Sequence, residues 1–159
     1  MRGNDDLLAM KGKDSRSITL LLADDDLDDC LFFREALDEL PVSASLMTVS
    51  DGEQLMRRLK ASETPPDILF LDLNMPRKNG FECLAEIKDH EKLKSIPVVI
   101  YSTSLDKAVV DLLYEKGADR YVQKPGDFKL LKSVIDSAIA LVNSNVFVIR
   151  SKENFVITF

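Results

Sequence analysis

Asp24, Asp25 and Asp26 stand in one run of this 159-residue sequence, and with Asp72, Ser102 and Lys124 they could do together what none does alone. Taken singly each has an ordinary role, since aspartates cap helices and turns, serines end strands and lysines carry solvated charge. Each of them, however, closes or follows a short segment that reads as a strand. Carboxylates gathered at adjacent strand ends repel one another unless a cation lies between them. Oxygen donors without His or Cys favour a hard ion, and a shallow, partly hydrated carboxylate site suits Mg²⁺ better than a Ca²⁺ cage. Lys124 and Ser102 would add a fixed cation and a hydroxyl on the opposite side, the arrangement that holds the oxygens of a phosphoryl group in transfer. A carboxylate beside the metal can serve as the nucleophile.

Such a site needs strands that end at one mouth. From Ser17 onward, apolar runs rich in Ile, Val and Leu alternate with segments of helical period, which predicts five βα units and a parallel sheet covered on both faces. Strands are expected at Ile18 to Ala23, Ala44 to Val49, Asp67 to Leu71, Pro97 to Ser102 and Arg120 to Gln123. Helices are expected over Leu27 to Leu40, Gly52 to Lys60, Gly80 to Asp89, Asp106 to Lys116 and Asp127 to Val142. Right-handed crossovers make a flavodoxin-like doubly wound α/β fold the default, with strand order 2-1-3-4-5 and a crevice between the carboxyl ends of the first and third strands. Residues 1–16 read as a polar N-terminal extension, 17–142 as the domain and 143–159 as a C-terminal extension.

Lys+Arg 21 against Asp+Glu 27 leaves a net charge of −6, and no stretch interleaves basic with aromatic residues, which argues against nucleic acid as a partner. No apolar run approaches the ~20 residues of a spanning helix, and the N-terminus carries acids where a secretion signal needs an apolar core. Cys30 and Cys83 lack metal-ligand spacing and read as reduced thiols, so a cytoplasmic protein with no membrane partner is expected.

The motifs ADDDLDD, DILFLDLNMPRKNG, VVIYS and GADRYVQKP, in this order and register, resemble those of a stand-alone response regulator receiver domain of two-component phosphorelay signalling, over about residues 17–142. The resemblance implies that Asp72 accepts a phosphoryl group and that Asp25, Asp72 and the Asn74 carbonyl bind Mg²⁺, with Asp24 acting through water. It implies that Lys124 contacts the phosphoryl oxygen, that Ser102 draws its loop toward the new phosphoryl, and that Tyr121 follows into the vacated space. It implies a cis peptide between Lys124 and Pro125, and places Asn74 and Ser104 near the path of attacking water. The chain would then be no enzyme toward external substrates, catalysing only its own phosphorylation and dephosphorylation. A haloacid-dehalogenase-type phosphatase would need an acid where Asn74 stands, and a flavin-binding loop would not be as acidic as ADDDLDD.

His90, in the polar stretch Lys88 to Lys92, reads as a solvated surface residue and not a phosphodonor, so the donor is expected to be a histidine kinase or phosphotransfer protein in another chain. Phe32 and Phe33 are adjacent on the first helix and cannot both face the core, which leaves one for incidental packing or for a partner. The tail segments Val146 to Ile149 and Phe155 to Phe159 suggest a hairpin that must be covered, with a homodimer contact favoured over docking on its own domain.

Overall fold

The computed structural model describes residues 17–145 and 150–157. Their elements are β1 (Ile18–Ala23), α1 (Leu27–Asp38), β2 (Ala44–Val49), α2 (Gly52–Ala61), β3 (Ile68–Leu71), α3 (Gly80–Asp89), β4 (Val98–Ser102), α4 (Lys107–Glu115), β5 (Arg120–Gln123), α5 (Phe128–Asn143) and α6 (Lys152–Phe155). Every helix starts at a polar residue whose side chain accepts backbone N–H bonds: Asp26, Asp51, Asn79, Asp106, Asp127 and Ser151. Each cap satisfies donors that the first turn would otherwise leave orphaned.

The strands form one parallel sheet in the order β2-β1-β3-β4-β5. Side chains alternate between its two faces, and both faces are covered, so β3 is apolar throughout and β1 and β4 are mostly so. Leu20, Leu22, Phe70, Val99 and Tyr101 meet α1 and α5 on one face. Leu21, Leu69, Leu71, Ile100 and Tyr121 meet α2, α3 and α4 on the other. Phe33 is fully buried and edge-on to Phe70 and Tyr101, with ring centroids 5.0 and 5.7 Å away. Its neighbour Phe32 tilts against Phe128 at 5.3 Å, so packing accounts for both phenylalanines of α1. The helix's exposed apolar residues are Leu27 and Leu31 instead.

The tail departs from the hairpin expectation. Val146 to Ile149 and the final two residues lie outside the described residues. Within 150–157, the polar run Arg150 to Asn154 that would have joined the two hairpin strands instead enters α6 with Phe155, because Ser151 and Asn154 cap it reciprocally. Val156 then pairs in parallel with Tyr121, and the Ile157 N–H donates to the Tyr121 carbonyl at 2.9 Å. The free edge of β5 thus supplies the backbone partner that a hairpin would have found within the tail. Phe155 is 2% exposed and stacks on Tyr114 and Tyr121, so this segment completes the domain's own core. Phe155→Ala should cost about 3 kcal/mol, the usual range for emptying a buried Phe site, read as a lower midpoint in urea unfolding.

Candidate functional site at the carboxyl edge of the sheet

The mouth is built by chain ends that the sheet registers fix. The Asp24 N–H continues the ladder to Val49, and the Asp72 N–H donates to the Ala23 carbonyl at 2.9 Å, which sets the two aspartates side by side. Gly80 starts α3 directly behind Asp72, where a Cβ would fall 2.3 Å from the Asp72 carbonyl oxygen, so this close approach requires glycine. Carboxylate oxygens of Asp24, Asp25 and Asp72 lie within 4.8 Å of one another. Asp24 and Asp72 are buried and Asp25 is exposed, which is the geometry of a shallow site open to water on one side.

Lys124 brings the cation. Its Nζ lies 2.8 Å from Asp24 Oδ2, 2.8 Å from Asp29 Oδ2 and 3.7 Å from Asp72 Oδ2. Asp29, in the first turn of α1, is a site residue that sequence reasoning missed. Tyr101 also belongs to the site, its ring centroid 5.4 Å from the same Nζ.

The Lys124–Pro125 peptide corrects an expectation: no bond among the described residues is cis. The Lys124 N–H donates to the Ser102 carbonyl at 2.7 Å, continuing the β4–β5 ladder, and from that fixed point the long side chain reaches the carboxylates without a cis turn.

One ammonium serves a cluster of four carboxylates, and the two buried ones, Asp24 and Asp72, have altered proton affinities. Burial raises the Asp72 carboxyl from its ordinary 3.8 to about 7, with the Asp24 carboxylate adding to it and Lys124 opposing it. Burial raises Asp24 as well, against the pull of Lys124. Burial by itself would lower Lys124, but its close contacts with the Asp24 and Asp29 carboxylates outweigh that and hold it above its usual value. Asp24 Oδ2 is buried with no aligned hydrogen bond, only the ion-pair contact. Such an oxygen fits a metal ligand, and the oxygen-only trio fits a hard divalent cation.

The proton balance carries a prediction. A carboxyl with a raised folded-state pKa keeps its proton in the native chain over a range where the unfolded chain has lost it, so its contribution to stability falls as pH rises from its ordinary value toward about 7. The metal-free protein should therefore melt at a lower temperature near pH 8 than near pH 5 on account of this cluster, and Asp72→Asn should flatten the slope. Scanning calorimetry at several pH values in EDTA reads both slopes.

Opposite the acids, Ser102 is buried at the end of β4 and its Oγ accepts the Ser104 N–H at 3.2 Å. Tyr121 is fully buried, and its hydroxyl donates to the Ser104 carbonyl at 2.6 Å. The ring already occupies the inward position that was expected only after phosphorylation. Asn74 is exposed in the loop after β3. That loop contains Arg77 in left-handed conformation, φ 67, with its guanidinium 3.1 Å from the buried Asp51 carboxylate. His90 lies away from this mouth at the end of α3, half-buried, with its Nδ1 accepting the Lys92 N–H at 3.1 Å.

The family model of the response regulator receiver domain matches residues 20–136, a span that holds Asp24, Asp25, Asp29, Asp72, Ser102, Tyr121 and Lys124. This chain belongs to the response regulator receiver family. Response regulator Rcp1 of Synechocystis is 33% identical over 121 residues, covering 73% of this receiver and 82% of the relative. The solved structure of the phosphorylated cyanobacterial phytochrome response regulator RcpA superposes with a TM-score of 0.74 at 32% identity, covering 81% of this receiver and 96% of that chain. The Mn²⁺-bound form of Rcp1 superposes with a TM-score of 0.69 at 31% identity, covering 77% and 92%. The flavodoxin-like strand order agrees with these neighbours. Like its family, this receiver is a signalling module of two-component systems, homologous to stand-alone regulators, which is consistent with phosphorylation-dependent signalling. Receivers work with histidine kinases or phosphotransfer proteins.

Proposed function

We propose that this receiver takes a phosphoryl group onto Asp72 from a phosphohistidine in another chain and passes the signal on through protein contacts. The observation that carries the reading is Asp72 itself: a buried carboxylate beside Asp24 and Asp25, with the Lys124 ammonium 3.7 Å from one of its oxygens. In the transfer, one Asp72 oxygen forms a bond to phosphorus while the P–N bond of the donor breaks and its electron pair stays on the imidazole nitrogen. Asp24, Asp25, Asp72 and the Asn74 carbonyl would hold Mg²⁺, which when bound supplies the positive charge that offsets the negative charge of the transferring group.

Lys124 faces the acceptor oxygen and would bind the incoming phosphoryl oxygens. Ser102 Oγ would donate to the phosphoryl and give up its bond from the Ser104 N–H, which draws the 102–104 loop toward Asp72. Tyr121, already inward, is tied to that same loop through the Ser104 carbonyl, so a loop drawn toward Asp72 holds the ring in that position. Asn74 and Ser104 flank the approach of water to the acyl phosphate, and exchanges there would change its lifetime. The chain would catalyse nothing beyond its own phosphorylation and dephosphorylation.

No described helix is long and apolar enough to cross a membrane. Cys30 and Cys83 are free, and burial pushes both thiols up to about 11, which keeps them protonated and inert and suits a reducing cytoplasm. Incubation with phosphoramidate and Mg²⁺ should give one acid-stable, base-labile phosphoryl group per chain and no turnover of phosphoesters. Turnover of phosphoesters would favour a phosphatase instead.

A further inference from the structure

We propose that Asp29 is a positioning residue for Lys124: it anchors the ammonium on the α1 side of the crevice, and so keeps it from competing with a metal for Asp24 and Asp72. The proposal rests on the reading of Asp24, Asp25 and Asp72 as metal ligands. Lys124 Nζ makes equal 2.8 Å contacts to Asp24 and Asp29, but the aligned hydrogen bond goes to Asp29 alone. The α1 cap holds this geometry, since Asp26 Oδ1 accepts the Asp28 and Asp29 N–H groups at 2.9 and 3.1 Å and turns the first turn toward the mouth. Without the Asp29 charge, the nearest anions left to Lys124 are Asp24 and Asp72, the two carboxylates the metal also uses. Asp29 therefore acts on the metal through Lys124.

Calorimetric titration with Mg²⁺ alone tests this in a double-mutant cycle. Asp29→Asn should weaken Mg²⁺ binding about fivefold in the natural chain but less than about twofold in a Lys124→Met background, with Asp29→Glu recovering most of the loss. Equal weakening in both backgrounds would show Asp29 acting only as a nearby charge and would overturn the proposal, as would no weakening in either. Melting curves of each variant separate these outcomes from misfolding. The titration involves no phosphoryl transfer, so failure of Asp72 to be labelled would strike the function reading and leave this result standing.

A second inference follows independently from the tail. We infer that docking of residues 150–157 and phosphorylation of Asp72 reinforce each other through Tyr121. Phe155 meets the Tyr121 ring at 6.2 Å, Val156 pairs with its backbone, and Arg150 pins the segment by donating from Nε to the Ala118 carbonyl at 3.0 Å while its guanidinium stacks 4.2 Å over Tyr114. The docked tail encloses Tyr121 in the inward position, where its hydroxyl reaches Ser104. A phosphoryl group on Asp72 that draws the 102–104 loop inward favours the same position, and two events that favour one state must strengthen each other by the same factor.

Hydrogen exchange on the full chain, with phosphoramidate and Mg²⁺ against Mg²⁺ alone, should show the Ile157 amide slowed about fivefold on phosphorylation. Ile157→Pro, which deletes the bond to the Tyr121 carbonyl, and Phe155→Ala should both lower steady-state phosphorylation at limiting phosphodonor. Unchanged exchange, or labelling of both variants equal to that of the natural chain, would overturn the coupling. If Asp72 does not label at all, the function reading fails, a result distinct from labelling without any change in exchange.

Discussion

Replacing Asp25 by alanine is expected to abolish Mg²⁺ binding and phosphorylation together. Asp25 is the exposed member of the trio, and it adds to two buried neighbours whose proton affinity burial has already raised. Burial raises the proton affinity of both Asp24 and Asp72, and with the Lys124 ammonium against them the two alone make a weak site for a cation. A third carboxylate that stays wet makes the site anionic enough to bind a hydrated divalent ion. Binding measured by calorimetry at near-neutral pH should fall by at least about tenfold, in line with the loss of one of the carboxylates proposed to hold the metal. Binding undiminished by the substitution would place the metal elsewhere.

Asp72→Asn should remove phosphoryl acceptance completely, because the amide has no nucleophilic carboxylate oxygen. The fold should survive, since Asn can still accept the Leu73 N–H that Asp72 Oδ1 takes at 2.9 Å. Near pH 8 without metal the variant should be more stable than the natural chain, by about 1–2 kcal/mol, because it relieves a repulsive and dehydrated charge. A higher urea midpoint at pH 8, with little difference near pH 5, is the expected pattern. Stoichiometric labelling of Asp72→Asn would remove Asp72 as acceptor.

The strands were legible because both faces of the sheet are buried: runs such as Ile68–Leu71 carry no polar residue, and caps such as Asp26 and Asn79 mark where helices begin. Asp24, Asp72, Ser102 and Lys124 were legible for the same reason, since a parallel sheet carries every strand end to one mouth. Asp29 was not, because its meeting with Lys124 depends on the azimuth of α1 against β5, a tertiary quantity across 95 positions of sequence. The tail misled for a related reason. An apolar, β-branched run such as Phe155 to Ile157 signals that a segment will be covered, but not by what, and the open edge of β5 proved the partner. The spacing of Ser151 and Asn154, a reciprocal helix cap, was the available sign that the supposed turn was helical. The Lys124–Pro125 bond went the other way because the ladder bond to Ser102 already fixes where Lys124 starts.

The most direct test is intact-mass analysis of the natural chain after incubation with phosphoramidate, with Mg²⁺ and with EDTA, followed by peptide mapping of the adduct under acidic conditions. One phosphoryl group per chain, found on Asp72, formed only with the metal and lost on brief alkaline treatment, is the expected result. An adduct on any other residue, or formation at the same rate in EDTA, would contradict phosphoryl transfer to Asp72 through the acidic mouth of this receiver.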